Sequence, residues 1–105
     1  MPRNFYTDYA RHAFRFYFAY PKMTAFKSKA DEHNHKAVKA TLDGIDVESI
    51  RLLMFVFISA PKAVGCSTTA AVEEYCSSNG RISTDDAFAR INNAYEKFAK
   101  IRGLI

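Results

Sequence analysis

The chain has 105 residues, of which 49% are hydrophobic and 25% are charged, close to the average for globular domains. This composition excludes a disordered chain, and the length excludes a scaffold that depends on disulfides or metal, because such a domain buries about two thirds of its unfolded surface. We therefore predict a single helical domain spanning residues 1–105. The formal net charge of +4 suits a polyanionic partner but also occurs in many proteins that bind none.

Charge is unevenly distributed along the chain. Residues 1–40 carry eight Lys/Arg and three Asp/Glu, residues 41–80 carry two and five, and residues 81–105 carry five and three. Two basic ends therefore flank an acidic middle. The two cysteines, Cys66 and Cys76, lack a CxxC or Cys/His spacing, which predicts a reduced, cytoplasmic protein. Charged residues interrupt the first twenty positions, so we expect neither a signal peptide nor a membrane span.

We expect no metal, no cofactor and no catalysis. His33 and His35 lie two residues apart, so on a helix they point about 200° away from each other and cannot bind one ion together. Acid-base catalysis needs groups that converge in a pocket, whereas the histidines and carboxylates of this sequence are scattered among positions typical of a solvated surface.

Helical periodicity predominates and strand signals are nearly absent, so we predict an all-α fold of about five helices. The first helix covers about residues 5–19 and ends before Pro21, because the residue before a proline is disfavoured in the helical region. Residues 5–20 contain eight of the fifteen aromatic residues, more than one buried stripe needs.

This aromatic density has two interpretations. The rings lie in the core or in a homodimer interface, or they form part of a face that binds a partner or stacks on bases, together with nearby arginines. On the second interpretation the predicted partner-binding residues are Phe5, Tyr6, Tyr9, Arg11 and Arg15.

The next three helices are marked by local start and stop signals. The second covers about residues 28–42 with Ser28 as its N-cap, and its thin apolar content predicts a peripheral helix. The third begins at the cap Asp46, ends before Pro61 and is apolar nearly all round, which is typical of a central, buried helix. The fourth begins at Ser67 and stops at Asn79-Gly80, since both residues tolerate the left-handed conformation.

The last helix begins after Ser83, a strong N-cap candidate, and ends at Gly103. Asp85 and Asp86 occupy its first turn, where each can contribute about 0.3 to 1 kcal/mol through the helix dipole. A predicted apolar stripe follows, formed by Phe88, Ile91, Tyr95, Phe98 and Ile101. The opposite face carries Arg90, Asn93, Lys97 and Lys100.

Three stretches, "VESIRLLMFVF", "AAVEEYCSSNGRIS" and "AFARINNAYEKFAKIRGLI", follow one another in residues 40–105. Their order resembles the sigma-factor region 4 type of helix-turn-helix and similar small regulators of phages and Gram-positive mobile elements. The resemblance implies a helix-turn-helix-like unit whose long last helix reads DNA, with Arg81, Thr84, Arg90 and Asn93 toward the groove and Lys97 and Lys100 toward phosphates. The chain departs from the family pattern in its longer "GRIS" turn and in the acidic pair after it.

Two functions are consistent with these features. The first is a small transcriptional regulator that binds double-stranded DNA without catalysis or cofactor. The alternative is a phage-type protein-interaction module or inhibitor, for example one similar to anti-CRISPR proteins, that binds a protein partner through the aromatic first helix.

Overall fold

A computed structural model describes residues 5–19, 25–59 and 68–105, with side chains described from Asp8 onward. Within these ranges every regular element is helical, which confirms the predicted all-α fold of five helices. One turn of π-helix, Phe55–Ser59, continues the third helix. The five α-helices are α1 (Phe5–Ala19), α2 (Lys29–Asp43), α3 (Val47–Met54), α4 (Thr68–Asn79) and α5 (Thr84–Arg102).

Side-chain caps fix where three of the helices begin, because each cap satisfies a backbone N–H that the helix itself leaves unpaired. The fourth predicted start, Ser67, lies outside the described residues. The three confirmed caps accept hydrogen bonds from backbone nitrogens: Asp31 N to Ser28 Oγ (3.2 Å), Ser49 N to Asp46 Oδ2 (3.1 Å) and Asp86 N to Ser83 Oγ (3.1 Å).

Gly80 ends α4 in the left-handed conformation that the sequence predicts. Its φ is +67°, and its N–H donates to the carbonyl oxygen of Cys76 at 2.9 Å. A side chain at this position would meet no atom within 4 Å, so the backbone conformation, and not a lack of space, favours glycine here.

The chain divides into two compact units. The terminal unit contains the described residues up to Gly44 together with Ala94–Ile105, and the middle unit is Ile45–Asn93. Helix α5 therefore contributes residues to both units. By sequence, the ranges 1–44 and 94–105 carry eleven Lys/Arg and five Asp/Glu, whereas residues 45–93 carry four and six, so the units differ in net charge, +6 against −2.

Aromatic rings form the core of the terminal unit. Phe14 on α1 is fully buried and stacks on Phe18, with ring centroids 5.7 Å apart. Its ring also meets Tyr95 and Phe98 of α5 edge-on, at 5.5 and 5.6 Å. Such edge-to-face pairs contribute about 0.5 to 1.5 kcal/mol beyond their buried area.

The described core of the middle unit is mainly aliphatic, with two buried aromatic residues, Phe57 and Tyr75. Leu52, Leu53, Val56 and Phe57 are buried along one side of α3 and the π-helical turn. The expectation that this helix is buried all round is wrong, because the side chain of Met54 is 49% exposed. The remaining buried hydrophobic residues of this unit are Ala71, Val72, Tyr75, Ala87 and Ile91.

The buried stripe of α5 differs in part from the predicted one. Ile91, Tyr95 and Phe98 are buried as predicted, but Ile101 is 44% exposed and Phe88 is half-buried. Alanines complete the stripe instead: Ala87, Ala94 and Ala99 are buried. None of the described helices is long and apolar enough to cross a membrane.

We predict that Ser83→Ala lowers the free energy of unfolding by about 0.5 to 2 kcal/mol, because the backbone N–H of Asp86 loses its cap. Urea denaturation followed by circular dichroism measures the change. Ser77→Ala is the matched control, since Ser77 is exposed within α4. Equal stability of Ser83→Ala and Ser77→Ala would contradict the capping role.

Candidate functional site

The exposed face of α1 carries two kinds of side chain. Tyr9 and Phe16 lie seven residues apart, about two helical turns, on one edge of this face, and they are 43% and 49% exposed. Arg11 and Arg15 lie one turn apart on its other edge and are also exposed. The side chains of two further predicted partner-binding residues, Phe5 and Tyr6, lie outside the described residues.

Arg11 lies over the buried ring of Tyr95. The guanidinium carbon of Arg11 is 5.6 Å from the centre of that ring, the geometry of a cation–π contact. Burial raises the pKa of Tyr95 to about 12, and the positive charges of Arg11 and Arg15 offset part of this rise. Arg11 thereby joins the arginine edge of α1 to α5 within the terminal unit.

Arg90, a predicted DNA-reading residue, binds groups of its own unit. Its Nη1 donates to Asp46 Oδ2 and to Ser49 Oγ, both at 2.8 Å, and its Nε donates to Asp86 Oδ2 at 2.9 Å. The hydrogen bond to Asp86, and then the bond to Asp46, raise the pKa of Arg90. The guanidinium links the start of α3 to the start of α5.

Arg81 also lies beside a carboxylate. Its Nη1 is 3.9 Å from Glu48 Oε2, although the arginine side chain is mostly exposed. The other oxygen of Glu48 accepts hydrogen bonds from Tyr75 Oη (3.1 Å) and Asn79 Nδ2 (3.3 Å). Burial, followed by the hydrogen bond to Glu48, raises the pKa of Tyr75. Glu48 thereby joins α3 to the end of α4.

The four other predicted DNA-binding residues are divided between the two units. Thr84 opens α5 and is half-buried, while Asn93 is exposed at the last position of the middle unit. In the terminal unit, Lys97 donates from Nζ to the carbonyl oxygen of Gly44 at 3.3 Å, and Lys100 is exposed.

Sequence reasoning missed these carboxylate contacts of the arginines. The Asp86–Arg90 pair could have been found, since a carboxylate and an arginine four residues apart on a helix commonly pair. No local signal identifies Asp46 or Glu48 as partners, because they lie 44 and 33 positions from Arg90 and Arg81. Among the residues that the structure describes, no three His, Cys, Asp or Glu side chains form a group that could hold a metal ion.

Comparison with known proteins identifies no relative: no protein-family model, curated protein or solved structure matches this chain significantly. The resemblance to sigma-factor region 4 therefore stays a prediction from the sequence. Two surfaces of the described residues are candidate binding sites: the exposed face of α1 and the start of α5.

We predict that Arg90→Met destabilises the protein by about 1 kcal/mol, because it leaves Asp46 and Asp86 without their shared cation. A double-mutant cycle with Asp46→Asn should give a coupling energy of about 0.2 to 1 kcal/mol. Urea unfolding at pH 7 measures both values. Lys100→Met is the control. A coupling energy of zero between Arg90 and Asp46 would contradict the contact.

The same contact should respond to acid. The hydrogen bond from the Ser49 hydroxyl, aided by Arg90, lowers the pKa of Asp46 below its ordinary value of 3.8. A carboxyl group whose pKa is lower in the folded state than in the unfolded state stabilises the protein at pH values above the unfolded-state pKa. This stabilisation is lost as the pH falls through the folded-state pKa. Asp46→Asn should therefore destabilise at pH 7 and have a smaller effect below pH 3.8. An equal effect at both pH values would contradict this assignment.

Proposed function

We propose that this chain is a protein-binding module without catalytic activity, and that it binds its partner through the exposed face of α1. The observation that carries this proposal is the exposure of two large aromatic side chains, Tyr9 and Phe16, on a helix whose other described rings, Phe14, Tyr17 and Phe18, are buried. Together with the arginines at the opposite edge, they give this face the residue types that dominate protein interfaces.

The core contacts of Phe14 support this choice of surface. They hold α1 against α5 in one rotational setting, so Tyr9 and Phe16 are presented on a helix that is already ordered. A preordered helix loses little conformational entropy on binding, which favours affinity.

The partner has an acidic surface. Arg11 and Arg15 are exposed cations of this face, and Arg11 is held beside Tyr95. The ranges 1–44 and 94–105 carry a net charge of +6, so the wider surroundings of α1 also favour a negatively charged partner. An inhibitor that binds an acidic surface of another protein fits this description.

We expect a photo-crosslinker to distinguish the α1 face from other apolar surface. p-Benzoylphenylalanine placed at Phe16 should form adducts with a protein in native host extract, because Phe16 lies in the proposed interface. The same residue at Met54 should form none, although Phe16 and Met54 are equally exposed. Denaturing gel electrophoresis detects the adducts, and mass spectrometry identifies the partner.

A charge variant completes this experiment. In the background of Arg11→Gln and Arg15→Gln, the adduct at Phe16 should form more slowly and in lower yield while circular dichroism stays unchanged, because the arginines steer the encounter with an acidic partner. Adducts of equal strength at Phe16 and Met54, or an adduct yield at Phe16 that is undiminished without the two arginines, would contradict the proposal.

Binding of double-stranded DNA is the second candidate function. The observation in its favour is the order of α4, the left-handed Gly80 and the Ser83-capped α5, which matches a helix-turn-helix in local sequence. The contacts of Arg90 and the exposed Asp85 oppose it, because the start of α5 presents negative charge where phosphates would approach.

Lys100→Glu and Asp85→Asn test this second function without disturbing the Arg90 contacts. If α5 binds duplex DNA, Lys100→Glu should weaken binding and reduce the salt slope by about one unit, whereas Asp85→Asn should strengthen binding by removing a repulsive charge. Fluorescence anisotropy with a labelled random duplex at low salt measures affinity. A wild-type protein that does not bind would remove DNA binding as a function.

A further inference from the structure

A cavity of about 280 Å³ lies between α1 and α2 in the terminal unit. Its size lies just below the range for drug-sized ligand pockets, which begins at roughly 300 Å³, so it suits a small ligand. It is separate from the exposed aromatic edge of α1, since neither Tyr9 nor Phe16 lines it. The lining side chains are Tyr17, Phe18, His35, Val38, Lys39 and Leu42.

Most of the cavity wall is apolar. Phe18 and Val38 are buried, and Leu42 is half-buried at the edge. The ring of Tyr17 adds to this wall, while its hydroxyl donates to Asp31 Oδ1 and is thereby already occupied. A largely apolar space of this kind accommodates a hydrocarbon or aromatic group better than it accommodates ordered water, which needs several polar partners.

Two nitrogen-bearing side chains of α2 complete the wall. His35 and Lys39 lie four residues apart, so they project from the same side of the helix. Lys39 is exposed and makes no ion pair with another described residue, in contrast to Lys36, whose Nζ is 3.1 Å from Glu32 Oε1. The acidic positions of α2 nearest to Lys39 are Asp43, which is exposed one turn after it, and Glu32, which already pairs with Lys36.

We propose that this cavity binds a small amphipathic anion, with an aromatic or branched aliphatic body and one carboxylate. The body fills the apolar space between Phe18, Val38 and Leu42, and the carboxylate pairs with the ammonium group of Lys39 at the edge. A neutral analogue of the same shape retains the apolar contacts but loses the ion pair, so it binds more weakly.

The probe is 4-phenylbutyrate, compared with the neutral 4-phenylbutanol, in methyl-detected NMR titrations of the full chain. Both compounds should shift the methyl signals of Val38 and Leu42 saturably, with phenylbutyrate binding more tightly. Lys39→Gln should weaken phenylbutyrate binding by about two- to fivefold, the range for an exposed ion pair, and leave phenylbutanol binding unchanged. Lys36→Gln is the matched control and should affect neither compound.

A filling variant tests the place of binding. Leu42→Phe at the half-buried edge should weaken both compounds while the thermal unfolding midpoint stays close to the wild-type value. Val38→Phe provides a second test at a buried position, to be interpreted only if circular dichroism shows that it folds. Absence of saturable shifts with millimolar phenylbutyrate, or equal losses of phenylbutyrate affinity in Lys39→Gln and Lys36→Gln, would overturn the proposal.

Discussion

The packing of Phe14 against Tyr95 and Phe98 determines which surfaces of the terminal unit are available for binding. Because successive helical residues are rotated by about 100°, burial of Ala10, Phe14 and Tyr17 fixes the side of α1 that faces the core. Tyr9 and Phe16 each precede one of these buried residues and are rotated by about 100° from it, on the side of the helix away from Phe14. Both therefore face outward. The same setting directs Tyr17 and Phe18 toward α2, where they line the cavity.

The acidic first turn of α5 has a structural explanation. The backbone N–H of Asp86 binds the cap Ser83, and its carboxylate binds Arg90, which also contacts Asp46 and Ser49. Asp86 thus stabilises the helix start twice, through the helix dipole and through an ion pair four residues along. Arg90 is correspondingly satisfied within the protein. A guanidinium with three such acceptors would have to give them up before it could bind a guanine edge, which makes it a poor reader of DNA.

Local signals in the sequence predict where the helices begin and end, but they do not predict contacts between residues that are far apart in the chain. Ser28, Asp46, Ser83 and Gly80 mark helix ends through bonds that span three or four residues, so their roles follow from the sequence alone. Which aromatic residues of α1 are exposed could not be predicted, because they cover more than half of the circumference of that helix, well beyond one buried stripe. The predicted apolar stripe of α5 is also partly wrong. Large residues such as Ile101 suggest burial, whereas the alanines that are buried give only a weak hydrophobic signal.

The two edges of the α1 face differ in what they can contribute to binding. Full burial of an aromatic side chain contributes about 1.5 to 3 kcal/mol, whereas an exposed ion pair contributes about 0 to 1 kcal/mol. Tyr9 and Phe16 would therefore supply most of the affinity of a complex and govern how slowly it dissociates. Arg11 and Arg15 would act mainly on the rate of encounter and on the choice of an acidic partner, because long-range attraction steers association. The acidic middle unit, in which Arg81 and Arg90 lie beside carboxylates, adds no comparable attraction for such a partner.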